Sequence, residues 1–359
     1  MQENFYFYLF GAFLTSLVLQ YLVIDLSHKR GIFMDDHQAD LPQKFHTAPT
    51  PRIGGLGIFI GCFFLMTNLE IGLFIMLASV PAFVSGLLED LFAKISPGRR
   101  LVIMLVSAVM AIYLLDDSVV TNFHFFKVPL AIGVIITVVA IIGMINGTNL
   151  IDGINGLSGG ISLIIFITYF FMSSIVNDTD LIFTTLICSC SILGFLFFNY
   201  PKGKMFLGDG GAYFTGFMLA TVSILLAIRN PEISPWFVLA CLIHPVFEVM
   251  FSFFRKAVID KVSPFSPDPY HIHQFIFLYV TNKNNPLTTL VILPFVLICN
   301  MLAIRFYGNH EALLLICFSY MVLYSCAYFI LNKRHKKAVQ SGDSDLDKDG
   351  LIDKRPIEA

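Results

Sequence analysis

Long apolar segments dominate this chain and constrain its fold more than any other feature. Crossing the hydrocarbon core of a bilayer takes about 20 residues of helix, and eleven segments approach or reach that length. They cover approximately residues 4–24, 53–69, 71–88, 101–115, 128–147, 157–176, 181–198, 213–228, 236–254, 286–304 and 313–331. The sequence therefore predicts an all-α, polytopic integral membrane protein with about 11 transmembrane helices.

The composition excludes several classes of protein. Of the 359 residues, 56% are hydrophobic and 13% are charged, whereas a soluble domain carries about 25% charged residues. So few charges cannot cover the surface of a soluble chain of this length, which excludes an ordinary cytosolic enzyme and a nucleic-acid-binding protein. All seven cysteines lie in apolar segments and indicate buried hydrophobic side chains rather than a disulfide framework.

The basic residues predict the orientation in the membrane. All but three of the 23 Lys and Arg residues fall on one side of the predicted spans, and the exceptions are Lys127, Arg229 and Arg305. By the positive-inside rule, the N-terminus lies outside and the C-terminus is cytoplasmic. Residues 1–331 would then form the membrane domain with its cytoplasmic loops, followed by a charged, disordered cytoplasmic tail over 332–359.

Five cytoplasmic connections carry groups that suit phosphate, metal or sugar binding. The first brings Lys44 and Arg52 next to prolines and to a pair of glycines, which let the backbone approach a ligand closely. The second opens with Glu89 and Asp90, and carboxylate oxygens are ligands that Mg²⁺ prefers. A positively charged turn and a solvated helix cap are the structural alternatives.

The third and fourth connections combine glycines with polar side chains. Asn149, Asp152 and Asn155 recur every three residues in a connection that contains no basic residue, and their amide and carboxylate groups suit nucleotide or sugar recognition. Asp209 stands among three glycines beside two lysines, a pattern that suits a metal-diphosphate site. A polar or tight turn is the alternative in both cases.

The fifth connection contains His271 and His273. Residues two apart do not share a helix face, so the pair favours phosphate contact or acid-base chemistry over a zinc pair on a helix. Five such connections on one face together favour an enzyme active at the membrane surface. A transporter would place its charges near the midplane of the membrane, but the predicted spans are nearly free of charge, with His244 and Glu248 as the main exceptions. A scaffold protein would not need connections that combine glycines with carboxylates.

Together and in this order, the motifs over about residues 40–275 resemble the polyprenyl-phosphate N-acetylhexosamine-1-phosphate transferases. The resemblance implies a multi-pass protein of the bacterial inner membrane with its site facing the cytoplasm. It implies transfer of N-acetylhexosamine-1-phosphate, by default GlcNAc-1-phosphate, from a UDP-sugar to undecaprenyl phosphate, with release of UMP. The product would initiate a cell-surface polysaccharide of the O-antigen, common antigen or teichoic-acid type. Phospho-MurNAc-pentapeptide transferase of peptidoglycan synthesis is the related alternative.

Matched residue by residue, the family's motifs also imply a site. The implied catalytic residues are Asp90, Glu89, Asp152 and Asp209, and the implied ligands of Mg²⁺ or Mn²⁺ are Asp209 and Asp152. The implied substrate-binding residues are Lys44, Arg52, Asn149, Asn155, Asn199, Phe206, His271 and His273. The expected partners are UDP-N-acetylhexosamine and undecaprenyl phosphate, with no nucleic acid, while a homodimer and the choice between single and double displacement stay open.

Overall fold

The computed structural model describes residues 5–35, 49–67, 70–92, 95–115, 118–263 and 270–341. The helices are α1 (Phe5–Arg30), α2 (Gly55–Gly61), α3 (Glu70–Phe92), α4 (Pro97–Leu114), α5 (Leu130–Leu150), α6 (Leu157–Ile175), α7 (Thr179–Asn199), α8 (Gly208–Arg229), α9 (Pro235–Cys241), α10 (Ile243–Phe254), α11 (Ile272–Tyr279), α12 (Asn285–Arg305) and α13 (His310–Gln340). A 3₁₀ segment, Cys62–Thr67, extends α2, and a π-helical turn, Arg255–Ile259, extends α10. Two short antiparallel strands, β1 (Met34–Asp35) and β2 (Thr50–Pro51), flank the first of the five polar connections.

The predicted all-α, polytopic membrane fold is confirmed. Among the described residues, nine helices are long and apolar enough to cross a membrane, and α9 with the extended α10 forms a further, bent pair. The one remaining predicted segment, 53–69, corresponds to the apolar helix Gly55–Thr67, which is shorter than the roughly 20 residues that a crossing takes. The number of eleven crossings therefore stays a prediction.

The 77° bend between α9 and α10 follows from a proline. Pro245 has no N–H group and cannot donate to the carbonyl of Cys241, four residues earlier. A buried carbonyl needs another donor, and the Asn300 Nδ2 group of α12 supplies it at 3.3 Å. The bend turns α10 toward α11 and α13 and so determines which side chains meet beside the fifth connection.

The last helix is longer than the predicted span over 313–331. It begins at His310 and ends at Gln340, so residues 332–340 of the predicted tail are helical. Residues 342–359 lie outside the described residues. Tyr320, Tyr324 and Tyr328 repeat every four residues on one buried face of α13, and this face packs against α10 and α11.

Helix α8 occupies the centre of the bundle and is buried along nearly its whole length. It packs most extensively against α3 and α5, and small residues allow the close approach that helix association in membranes favours. A Cβ atom at Gly216 would lie 2.7 Å from both the Ile145 Cα atom and the Met144 carbonyl oxygen of α5. On the outside, helices such as α4 and α5 expose Val102 and Ile135 in the manner of lipid-facing surfaces.

Connections predicted to lie outside also meet in the structure, at the end of the bundle opposite to the connections that are predicted to be cytoplasmic. The His124 and His310 rings stack with centroids 3.3 Å apart, and the Trp236 ring lies against Phe125. This arrangement agrees with the predicted alternation of connections between two sides. Which side faces the cytoplasm stays a prediction.

Two glycines of the α5–α8 pair allow a matched test of this packing. We expect Gly216→Ala to lower the midpoint of thermal unfolding in detergent, because overpacking a closely packed interface costs about 1–3 kcal/mol. Gly143→Ala is the control, since nothing lies within 4 Å of its added Cβ atom and alanine favours a helix over glycine by about 0.5–1 kcal/mol. Equal midpoints for the two variants would contradict the close α5–α8 contact.

Candidate active site

Asp209 lies at the start of α8, directly after a glycine whose backbone conformation favours that residue type. Gly208 has a φ of +77°, a conformation that residues with a Cβ atom rarely adopt. A Cβ atom there would also lie 2.6 Å from the Arg52 carbonyl oxygen and 2.6 Å from Asp90 Oδ2. The glycine therefore brings the first turn of α8 directly against the first connection and the end of α3.

Asp90 caps the N-terminus of α8 with both of its carboxylate oxygens. Oδ1 accepts a hydrogen bond of 2.8 Å from the Asp209 N–H group, and Oδ2 accepts one of 2.9 Å from the Gly210 N–H group. The first N–H groups of a helix have no partners within it and form the positive end of its dipole, so a carboxylate suits this place. With a side chain only 2% exposed, Asp90 fixes the position of the neighbouring Asp209.

Two arginines flank the Asp209 carboxylate. Arg52 Nη2 donates to Oδ1 at 2.6 Å, and Arg100 Nη1 approaches Oδ2 at 3.5 Å. Arg52 Nε also lies 3.6 Å from Asp90 Oδ1, and Arg100 Nη1 contacts the Tyr213 hydroxyl at 3.3 Å. The site thus combines two nearly buried carboxylates with two partly exposed guanidinium groups.

Arg100 was not singled out by the sequence. It is one of several basic residues of the second connection, where Arg99 precedes it directly, and only the start of α4 at Pro97 turns Arg100 inward and leaves Arg99 exposed. Glu89 lies on the same side of the site. One Glu89 oxygen accepts from the Ile95 N–H group at 3.1 Å, and the other lies 3.8 Å from Arg100 Nη1. Glu89 therefore holds the second connection and its arginine in place.

Arg52 is placed by pairing between the first and fourth connections. The Phe206 N–H group donates to the Pro51 carbonyl, and the Phe206 carbonyl accepts from the Gly54 N–H group, both at 2.9 Å. Arg52 lies between these two bonds, while the half-buried Phe206 ring lies beside the same strand-like pairing. Lys44, predicted to contact phosphate, lies outside the described residues.

Asp152 belongs to the same group of charges. Burial raises the pKa of Asp152 to about 7, Arg52 acts in the opposite direction, and the Asp209 carboxylate adds to the rise. A hydrogen bond from the Gly208 N–H group also lowers this pKa, so the Asp152 side chain lies at the start of α8. A further positive charge bound nearby would lower the pKa again. Asn149, one turn earlier on α5, makes no side-chain hydrogen bond within the described residues and leaves its amide available to a ligand.

Asn199 and Asn155 join the connections to one another. The buried Asn199 accepts from the Gly156 N–H group at 2.6 Å and donates to the Met205 carbonyl at 2.7 Å. Asn155 donates to the Pro201 carbonyl at 3.2 Å. Both amides therefore link the third connection to the fourth, and substrate contact by these two predicted residues stays a prediction.

The two histidines of the fifth connection lie beside the third. Their rings are parallel within 4°, with centroids 5.6 Å apart, and a Cβ atom added to Gly153 would lie 3.5 Å from His273 Nε2. Burial lowers the pKa of His273 to about 3, so this ring is neutral at physiological pH. His271 Nδ1 lies 2.8 Å from Glu248 Oε1.

The oxygen donors of the site fit a divalent cation shared with a substrate. Within the described residues, no group of three His, Cys, Asp or Glu side chains is arranged to hold a metal ion by itself. Mg²⁺ typically takes one or two carboxylates and completes its shell with water and substrate phosphates. Asp209 and Asp152 offer such a pair, while Asp90 is engaged by the backbone of α8.

Comparison with known proteins gives a consistent result. Residues 72–227 match the model of a family described as glycosyl transferase family 4. A Thermotoga maritima protein named undecaprenyl-phosphate alpha-N-acetylglucosaminyl 1-phosphate transferase is 32% identical over 87% of this chain and 94% of its own length. A Bacillus subtilis protein named as a probable undecaprenyl-phosphate N-acetylglucosaminyl 1-phosphate transferase is 27% identical over 79% of this chain and 82% of its own. A Staphylococcus aureus phospho-N-acetylmuramoyl-pentapeptide-transferase is 30% identical over 49% of this chain and 54% of its own.

The Asp90 cap leads to a prediction about stability. Asp90→Asn keeps the volume but turns an amide N–H₂ group toward one of the two backbone donors of α8. We expect the free energy of unfolding to fall by about 1–3 kcal/mol, since a buried N–H group left without an acceptor costs about that much. The midpoint of thermal unfolding in detergent measures the effect. Asp25→Asn, at an exposed carboxylate on α1, should leave the midpoint unchanged, and equal midpoints for both variants would contradict the cap.

Arg100 should oppose cation binding when no substrate is present, because its positive charge lies beside Asp209. We expect Arg100→Gln to tighten Mn²⁺ binding about fivefold, which corresponds to removing a repulsion of about 1 kcal/mol between charges a few ångströms apart. Electron paramagnetic resonance of free Mn²⁺ with the purified protein measures this affinity. Arg99→Gln removes the same charge from the exposed neighbouring position, and an equal gain there would indicate a general charge effect instead.

Proposed function

The chain belongs to glycosyl transferase family 4, and we propose that this membrane phosphotransferase moves GlcNAc-1-phosphate from UDP-GlcNAc to undecaprenyl phosphate. UMP leaves, and the lipid-linked diphosphate sugar stays in the bilayer as the first intermediate of a cell-surface polysaccharide. In this proposal the site faces the cytoplasm of a bacterial cell, where the water-soluble nucleotide sugar meets the lipid at the surface of the inner membrane.

The placement of Asp209 between Arg52 and Arg100 is the observation that carries the proposal. The reaction brings a lipid phosphate and a nucleotide diphosphate together, so it requires compensation of negative charge. Two guanidinium groups offer bidentate contacts to phosphate oxygens. A divalent cation, Mg²⁺ or Mn²⁺, held by Asp209 and Asp152, would supply further charge neutralisation for the diphosphate.

When substrate and cation bind, the arginines are expected to exchange partners. In the structure Arg52 and Arg100 neutralise Asp209, and that carboxylate is the one that a cation requires. Substrate phosphates give the arginines new acceptors, so binding of the substrate would free the Asp209 carboxylate. The cation could then bind to that carboxylate. The pair of arginines therefore favours simultaneous binding of cation and diphosphate.

The attacking group needs little help from a base. A phosphate monoester has a second pKa of about 6 and is mostly dianionic at neutral pH. Asp90 has both oxygens engaged by N–H groups of α8, an arrangement that supports a role in positioning Asp209. It favours direct attack of the lipid phosphate on the β-phosphorus over a covalent aspartyl-phosphate intermediate.

The remaining predicted residues can be assigned by their surroundings. The available amide of Asn149 suits the nucleotide or the sugar, and the neutral His273 beside Gly153 suits a hydrogen bond rather than an ion pair. The length over which the Thermotoga and Bacillus relatives match supports GlcNAc over the MurNAc-pentapeptide of the shorter staphylococcal match.

A direct assay tests the proposal. We expect the purified protein in liposomes with undecaprenyl phosphate and Mg²⁺ to release UMP from UDP-GlcNAc, and to release none when either the lipid or the cation is omitted. A panel with UDP-GalNAc and nucleotide 6-deoxy-N-acetylhexosamines identifies the preferred sugar. Release from UDP-MurNAc-pentapeptide alone would overturn the sugar assignment.

Two controls accompany this assay. Asp209→Asn should abolish UMP release, whereas Asp25→Asn on the exposed side of α1 should retain it. Labelled UMP should not exchange into UDP-GlcNAc in the absence of lipid, because direct attack forms no enzyme-linked intermediate. Exchange without lipid would instead indicate double displacement.

A further inference from the structure

A buried group of titratable side chains lies beside the fifth connection and is not part of the site formed by Asp209 and the arginines. His244 and Glu248 stand four residues apart on one face of α10, and each residue is only 1% exposed. A carboxylate inside a membrane-spanning segment is costly unless it is paired, and such residues tend to be functional. The partners of Glu248 therefore indicate what the residue does.

Both Glu248 oxygens have hydrogen-bond donors from other helices. Oε1 lies 2.8 Å from His271 Nδ1, at the N-terminal end of α11. Oε2 accepts a hydrogen bond of 2.5 Å from the Tyr324 hydroxyl on α13. His244 Nδ1 pairs in the same region with the Tyr320 hydroxyl, one turn earlier on α13. Glu248 thus connects α10 to both α11 and α13.

The backbone of His271 is fixed as well as its ring. Its N–H group donates to Gln274 Oε1 at 3.1 Å, an arrangement that caps the first turn of α11. Since Nδ1 faces Glu248, Nε2 is the ring nitrogen left for a ligand, and it makes no hydrogen bond within the described residues. The parallel ring of His273, 5.6 Å away, borders Gly153 of the third connection.

We propose that Glu248 is a positioning residue that holds His271 with its Nδ1–H group toward α10 and its Nε2 atom toward a substrate phosphate. The proposal rests on the proposed function, in which His271 contacts a phosphate of the nucleotide sugar or the lipid. An anionic carboxylate behind an imidazole fixes its tautomer and offsets positive charge on the ring when Nε2–H donates to an anion. Glu248 would then act on the site through the His271 side chain and without contacting the substrate itself.

A purely structural ion pair is the competing explanation, and the chain gives reasons to prefer positioning. A buried pair is often no more stable than apolar residues of the same volume, so packing alone does not call for a carboxylate at position 248. Its second oxygen is occupied by Tyr324, which restrains the carboxylate itself. The ring that Glu248 holds is the one that adjoins the His273–Gly153 contact and hence the third connection.

A double-mutant cycle separates the two explanations. We expect Glu248→Gln to lower kcat for UMP release about 10- to 100-fold, as for other partners that orient functional histidines. In the His271→Asn background, Glu248→Gln should lower kcat less than about twofold further, because the residue acts through His271. Glu248→Asp should retain more activity than Glu248→Gln. Multiplicative losses in the double variant, or full activity in Glu248→Gln, would overturn the proposal.

Tyr324→Phe is the matched control, since it removes the other donor to the same carboxylate without touching His271. We expect it to retain most of kcat, and a loss equal to that of Glu248→Gln would indicate that the whole group acts structurally. All variants are compared by thermal midpoint in detergent, so that an unfolded variant is recognised.

A measurement without substrate distinguishes failure of this proposal from failure of the proposed function. In the wild-type protein with ¹⁵N-labelled histidine, we expect the Nδ1 atom of His271 to be protonated, with the signal assigned by its loss in His271→Asn. A ring with bare Nδ1 would overturn the positioning role even if UMP release is observed. A protonated Nδ1 without UMP release would leave the geometry intact and refute the proposed reaction.

Discussion

The capping of α8 by Asp90 is the interaction on which the rest of the site depends. Helix α8 is the central, buried helix of the bundle, and its first N–H groups would lack partners at the membrane surface without a carboxylate to receive them. The same turn carries Asp209. The two hydrogen bonds to Asp90 therefore cap the helix and also fix the Asp209 carboxylate beside the arginines. The geometry of the candidate site thus depends on the need of a helix terminus for hydrogen-bond acceptors.

Charge balance is the second constraint. Asp90, Asp152 and Asp209 lie close together, and burial without compensation would drive at least one of them to bind a proton, as the raised pKa of Asp152 shows. Arg52 and Arg100 supply part of the compensation within the chain. The negative charge that the two arginines leave uncompensated would be offset by a divalent cation bound together with an anionic substrate. The charges of the site therefore favour the proposed reaction.

Individual residues show how far the sequence could be interpreted. Asp209 and Asp152 could be selected because carboxylates beside glycines have few structural explanations at a membrane surface. Arg100 could not be distinguished from Arg99, since only the first turn of α4 decides which of the two faces α8. Asn199 and Asn149 are both implied as substrate-binding residues by the family's motifs. In the structure the Asn199 amide joins two backbone segments, whereas the Asn149 amide makes no hydrogen bond within the described residues, and only the folded chain shows this difference.

By itself the sequence determined that the chain crosses a membrane many times, because its apolar segments are long and its charges few, and only a lipid bilayer suits such a chain. It also predicted that the candidate site residues gather on one side, because alternating connections of a multi-pass chain share two surfaces. Only the tertiary structure decided which carboxylate caps α8, which arginines neutralise Asp209 and which buried acid contacts His271. Those choices depend on contacts between residues more than 20 positions apart, where a difference of one ångström separates a hydrogen bond from none, and no local pattern records such distances.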